Sequence, residues 1–250
     1  MHSSTRDKAK ATLQRIGLFP AARSAFRALH GGIRKQRAHE IAFYSSLFPS
    51  GALCFDVGAN LGQTTEVFLA CGARVLSVEP NPLCHPTLKH LFGDNENCQI
   101  LLSAVGSSNG FIDLHTHGTD ATASVRADWE KQTYGNDRGT TAMKTPIVTL
   151  DTLIERYGPP DFVKIDVEGF EKEVLKGLSS SVKLLSFEFH FTEIALAEEC
   201  LEMLSRFGIS SIRASDMDCN WLSTGTDDIK GCLRMLHDTS AKGDLFVWLS

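Results

Sequence analysis

From Leu53 onward, short apolar runs alternate with stretches of helical spacing. That alternation is the signature of a parallel sheet with helices packed on it. Residues 52–57 read as a buried strand followed by a helix over 62–71. A second strand spans 74–78, a helix 83–92 and a third strand 99–105. The pattern then lapses over 106–142, which is rich in Gly, Thr, Ser and Asp and reads as loop with short strand. A connection that long inside a compact domain is usually functional, often a lid or substrate loop. Within it, 122–125 could close over a substrate, while Trp129 and Tyr134 either stack on a sugar ring or anchor the loop in the core.

Regularity returns with a strand at 147–150, a helix at 151–157 and a strand at 161–165. A helix follows over 170–178, with Phe170, Val174 and Leu178 on one face, then a strand at 183–189 and an amphipathic helix at 194–207. Residues 209–213 and 245–249 read as strands able to pair antiparallel at one sheet edge, joined by a long connection without a clear helical period. No repeat, low-complexity tract or linker divides the chain. The expected architecture is a doubly wound α/β domain over 49–250, preceded by an N-terminal helical extension over 1–48.

Composition narrows the class without naming it. At 250 residues, 42% hydrophobic and 22% charged, the chain can bury a full core and has an ordinary soluble make-up. No apolar run reaches membrane-spanning length and the N-terminus lacks the apolar centre of a secretory signal, so the cytoplasm is the expected location. Seven cysteines stand in no CxxC or metal-ligand spacing and read as buried free thiols of a reducing compartment. The net charge of −5 hides an asymmetry: residues 1–40 hold nine Lys/Arg against two acids, leaving about −12 on the rest. Arg15, Arg23, Arg27, Arg34, Lys35 and Arg37 are interleaved with apolar residues. This basic arm is either a helical preface packed on the domain or an amphipathic segment touching a membrane surface or anionic partner. The acidic body argues against nucleic acid as a partner.

Where the first strand hands over to its helix, Asp56-Val-Gly-Ala-Asn-Leu-Gly62 places Gly58 and Gly62 at a sharp turn. Glycines there let the backbone approach a ligand closely. The spacing is GxxxG, not the GxGxxG of dinucleotide sites, and no Gly-Lys-Ser/Thr of a P-loop follows. Asp56 would repel phosphate and suits a ligand carrying an ammonium group. Glu79, at the end of the second strand and about 20 residues beyond the glycines, can accept both hydroxyls of a ribose. A nucleoside with an amino-acid tail and no phosphate is S-adenosylmethionine.

The runs DVGANLGQTT at 56–65, VEPNP at 78–82, SAVGSSNG at 103–110, TLDTLIE at 149–155, VKIDVEGFEKEVLKG at 163–177 and FEFH at 187–190 resemble the FkbM-type methyltransferases. This is a branch of the class I, Rossmann-like, S-adenosylmethionine-dependent fold, and the likeness covers about 50–190 well. The resemblance implies a seven-stranded sheet with its last strand antiparallel. It also implies that Asp56, Gly58, Asn60 and Gly62 line the methionine end of the cofactor, that Glu79 holds the ribose, and that Ser103 and Ala104 lie near the adenine. The implied reaction is O-methylation of a small-molecule or glycan hydroxyl on a sugar, glycolipid or polyketide.

Asp166 ends the fourth main strand, while Glu188 and His190 end the fifth, where ligands collect in open parallel sheets. All three could converge beside the methyl group, with Asp166 also touching the cofactor. Methyl transfer needs the acceptor aligned and its proton removed. His190 is the first choice of base, because its ordinary pKa suits neutral pH, and Asp166 the second or an orienter of the acceptor. A divalent metal could bridge Asp166 and Glu188, with Glu168 either joining them or merely capping the helix that opens at Gly169 and Phe170; without a third convincing ligand no metal is expected. His115 and His117 read as a polar strand edge. Base-amino methyltransferases would carry Asn/Asp-Pro-Pro-aromatic after the fourth strand, where this chain has Asp166-Val-Glu-Gly169, and no Pro-Cys dipeptide of cytosine-C5 enzymes occurs. A non-catalytic cofactor-binding protein is the rival from another class.

Overall fold

The structure, a computed structural model, describes residues 31–116, 123–124, 141–239 and 242–250. Helix α1 (Gly31–Ser45) leads into β1 (Leu53–Val57), α2 (Gln63–Ala70), β2 (Arg74–Val78), α3 (His85–Phe92) and β3 (Cys98–Leu101). Next come β4 (Ala104–Val105), β5 (Gly110–Thr116), β6 (Ala123–Ser124), β7 (Thr141–Val148), α4 (Leu150–Tyr157) and β8 (Phe162–Ile165). The chain continues through α5 (Glu171–Lys176), β9 (Leu184–His190), a 3-10 turn (Phe191–Glu193) and α6 (Ile194–Ser205), then β10 (Ile209–Asp216), α7 (Ile229–Thr239) and β11 (Lys242–Leu249).

Seven strands form the main sheet in the order β10-β11-β9-β8-β1-β2-β3. The pairs β1–β2, β2–β3, β1–β8 and β8–β9 are parallel, whereas β11 runs antiparallel to both neighbours. This is the doubly wound sheet with an antiparallel last strand that the motifs imply. The strand pair expected at one edge is there, with β10 outermost and β11 lodged inside it.

Central strands of such a sheet are covered on both faces, so they read as continuous apolar runs. Every residue of β1 is buried. Alternate side chains go to opposite faces. Leu53, Phe55 and Val57 join Val163, Ile165, Leu185 and Phe187 in the larger core. Cys54, Phe162, Leu184 and Phe246 meet Phe43, Tyr44 and Phe48 from α1 and its C-terminal turn, together with Phe68 of α2. Burying one such ring contributes roughly 1.5–3 kcal/mol, so α1 is part of the fold's foundation. All seven cysteines are free thiols, four of them buried.

Three elements differ from the sequence reading. The expected strand over 99–105 is two strands: β3 ends at Leu101, and β4 leaves to pair with β7 in a second sheet of order β4-β7-β5-β6. The segment read as loop supplies most of that sheet, with β5 and β7 antiparallel from Gly110↔Ile147 to Thr116↔Thr141. A proline inside a run counts against a strand in sequence, yet Pro146 stands within β7 opposite Phe111. The connection before β11 contains helix α7, whose Ile229, Cys232, Leu233 and Leu236 follow helical spacing and pack into the larger core. Trp129, Tyr134 and His117 lie outside the described residues, as do 1–30 with Arg15, Arg23 and Arg27.

Candidate cofactor cleft and active site

The chain runs from β1 outward to β3, then returns to the other side of β1 with β8, and ligand crevices form at such a reversal. A cleft opens there at the strand ends. Its floor is the turn after β1, where Gly58 (φ +88°), Asn60 (+50°) and Gly62 (+77°) adopt left-handed backbone. The Gly58 and Ala59 amides donate to Val78 O at 2.9 and 3.0 Å, tying the turn to β2. A Cβ on Gly58 would sit 1.8 Å from Asp166 O, so only glycine lets the turns after β1 and β8 touch. A Cβ on Gly62 would meet the Phe92 ring at 2.4 Å, which explains how α3 packs so near the start of α2.

Glu79 is buried at one wall. Its Oε2 accepts from Asn60 N and its Oε1 from Asn81 N, both at 2.7 Å. Burial outweighs these two bonds and lifts the carboxyl to about 7. Each oxygen keeps a further acceptor site for a ligand hydroxyl. Ser103, Ala104, Val105 and Leu114 line one end, with the Ser103 hydroxyl 2.8 Å from Ala104 O and 3.1 Å from Pro146 O. Asp166, Glu168 and Phe170 border the cleft from the β8 side. Among its described lining residues there are three carboxylates, Glu79, Asp166 and Glu168, and no Lys, Arg or His.

Asp56 does not line this cleft. Strand alternation turns it to the α2 face, in register with Ser77 and Lys164. There Thr65 Oγ1 donates to Asp56 Oδ2 at 2.6 Å and lies 3.1 Å from Ser77 Oγ. Burial raises the Asp56 carboxyl to about 6 against the Thr65 bond and the Lys164 charge. Asp56 therefore braces the turn from beneath, and Gly58 and Asn60 form the wall above it; Gly62 serves through packing.

Asp166 reaches the cleft, its amide donating to Val57 O at 2.9 Å. Its Oδ2 is 3.4 Å from Lys164 Nζ, which also binds Asp244 Oδ1 at 2.9 Å. Burial alone would lower the Lys164 ammonium, but the Asp244 and Asp166 charges hold it well above its ordinary value. The chain then bends through Glu168 (φ +55°) and Gly169 (+88°). Glu171 supports this bend, its Oε1 accepting from Val167 N at 3.3 Å and Gly169 N at 3.2 Å.

Glu188 and His190 face a separate small recess beside Glu171 and Glu193. His190 caps the 3-10 turn, with Nδ1 accepting from Thr192 N at 3.2 Å and its ring stacked on Phe191. Burial, then the charges of Asp166 and Glu168, raise Glu188 to about 8. Of the three expected strand-end groups, the fold brings Asp166 alone to the cleft. His115 lies on β5, away from any metal-like grouping; no set of three or more His, Cys, Asp or Glu among the described residues is arranged to hold an ion.

Lys164, Asp244 and Glu171 were not singled out from sequence. Lys164 left a signal, since a lysine inside a strand buried on both faces demands a partner. Among the described residues, no helix is long and apolar enough to cross a membrane.

The model of the methyltransferase FkbM domain matches residues 56–211. The hexuronic acid methyltransferase AglP of Haloferax volcanii is 30% identical over 139 residues, covering 53% of this chain and 52% of that protein. The chain thus spans about half the length of the curated relative it matches. Among solved structures, a precorrin-6y C5,15-methyltransferase from Geobacter metallireducens aligns over 86% of each chain at 12% identity, with a TM-score of 0.42. A TehB-like SAM-dependent methyltransferase from Corynebacterium glutamicum aligns over 85% of this chain and 88% of its own at 10% identity, with a TM-score of 0.43. With a family match running from Asp56 to Ser211, well over half of its length, the chain belongs to the FkbM methyltransferase family.

Proposed function

We propose that this protein transfers a methyl group from S-adenosylmethionine to a hydroxyl of a glycan or related small molecule. One observation carries the cofactor: the cleft is walled by Glu79, Asp166 and Glu168 with no cationic side chain among its described lining residues. Three carboxylates repel a pyrophosphate and attract a ligand bearing a sulfonium and an ammonium. The donor set fits, because Glu79 offers acceptors for a ribose diol beside a turn whose backbone is open to close approach.

When bound, S-adenosylmethionine supplies a methyl group on a positively charged sulfur, already a good leaving group. The chain's own residues then have two tasks, alignment and proton removal. Glu79 fixes the ribose, and the turn at 58–60 seats the amino-acid tail. Asp166 receives the acceptor's proton; it borders the cleft, and Lys164 holds it in place. His190, engaged by Thr192 outside the cleft, leaves that role to Asp166. The sugar acid named for AglP supports a glycan acceptor over a polyketide.

Calorimetric titration with S-adenosylmethionine tests the reading. Micromolar binding to the wild type, lost in Glu79→Ala and absent with NAD, is expected. No binding, or a preference for NAD, refutes it.

A further inference from the structure

A second cavity of about 500 Å³ lies between α1, α2 and the ends of β8 and β11, a size typical of ligand sites. It shares Gln63, Thr64 and Asp166 with the cofactor cleft, so the two spaces meet at the proposed proton acceptor. We propose that this cavity is the acceptor site and that it selects a neutral, polyhydroxylated ring. This inference rests on the first cleft holding S-adenosylmethionine.

The walls are built and not incidental. Lys164 and Tyr44 are almost fully buried, and the Lys164 and Asp244 side chains keep only 7% and 17% of their surface. Burying charge at a cavity wall is costly unless it is paired, and here both cations are paired. Lys164 is held by Asp244 at 2.9 Å and Asp166 at 3.4 Å. Arg37 is held by Glu66 at 2.6 Å and Glu40 at 3.1 Å, and also donates to Gln63 O at 2.8 Å.

That pairing decides the ligand's charge. Both cations among the described lining residues are already matched by two carboxylates each, so neither is left to bind a carboxylate or phosphate. A sugar acid or phosphorylated ring would meet Glu40, Asp166 and Asp244 without an uncommitted counter-charge. Hydroxyls suit the same wall, since each can donate to a carboxylate and accept from the lysine, arginine or an amide. Tyr44, Val67 and Met217 add apolar surface for the ring's C–H faces. A hydroxyl lying against Asp166 would then give its proton to that carboxylate as its oxygen bonds to the methyl carbon and the methyl–sulfur bond breaks, the electron pair leaving with sulfur as neutral S-adenosylhomocysteine.

The test uses the full chain with methyl-labelled S-adenosylmethionine and two matched probe sets, p-nitrophenyl hexopyranosides and p-nitrophenyl hexuronides. Label is expected on the neutral hexosides, with hexuronides slower by about tenfold or more. Met217→Trp, at the exposed mouth, should raise the hexoside KM about fivefold or more with the S-adenosylmethionine Kd within about twofold. Glu40→Lys, which adds an uncommitted cation, should shift preference toward hexuronides. Hexuronide preference in the wild type, no transfer to any hexoside, or an unmoved KM in Met217→Trp overturns the assignment. Failure of the wild type to bind S-adenosylmethionine would instead sink the cofactor reading, so the two failures are distinguishable.

Discussion

The Gly58 Cα and the Asp166 carbonyl approach so closely that a Cβ on the glycine would lie 1.8 Å from the oxygen. Gly58 also carries φ +88°, which disfavours any side chain. Gly58→Ala should therefore part the turns after β1 and β8, lowering stability by roughly 2–4 kcal/mol. Loss of S-adenosylmethionine binding in soluble, folded protein is expected from calorimetry and circular dichroism; wild-type affinity would show that the contact is dispensable.

Asp166 and His190 should separate cleanly. Asp166→Asn keeps the side-chain shape and removes the proton acceptor, so kcat at saturating cofactor should fall about 10²–10⁴-fold, whatever the loss of one cleft charge does to cofactor Kd. His190→Ala should retain turnover, since its Nδ1 serves the turn at Thr192. The reverse pattern would return the role of base to His190.

Removing one member of a buried charge cluster leaves the others stranded. Lys164→Met should destabilise the fold by about 3–5 kcal/mol, because Asp166 and Asp244 lose their shared cation. Adding Asp244→Leu should recover a large part of that loss in denaturant titration. Equal or additive destabilisation by the second change would mean the pair is not coupled.

Stability should fall as pH rises. Burial lifts Glu79, Glu168 and Glu171 to about 7 and Glu188 to about 8, whereas an unfolded Glu titrates near ~4.3. The fold thus binds protons that the unfolded chain has released, and their stabilisation is full below the unfolded value and lost as pH climbs through 7 to 8. The Tm of ligand-free protein should drop between pH 5.5 and 8.5 by roughly 2–4 °C for each kcal/mol lost. Glu171→Gln keeps an oxygen for Val167 N and Gly169 N and should flatten that slope. A slope equal to that of the wild type would show Glu171 charged in the fold.

Strand-end glycines and Glu79 were legible because they answer to local backbone and to a fixed strand-helix spacing. The side of the sheet that Asp56 faces was harder, since it depends on which alternate residues α1 and α2 cover. His190 looked catalytic by type and place, but Thr192 two residues on diverts it into a cap. Lys164 and Asp244 are 80 residues apart, and only the lodging of β11 beside β9 brings them together. Helix α7 went unread although Ile229, Cys232, Leu233 and Leu236 keep helical spacing, and the strand read at 147–150 overlaps β7 in its last two residues alone.

The position of β11 also bears on how the protein comes into being at the ribosome. Residues 242–249 fill the gap between β9 and β10, so during synthesis β9 has an open edge until they emerge. Until then β10 has no neighbour in the main sheet, and Asp244 has yet to reach Lys164. An unpaired strand edge of this kind invites pairing with other chains. The nascent protein is thus exposed to aggregation in the interval before β11 slides into place.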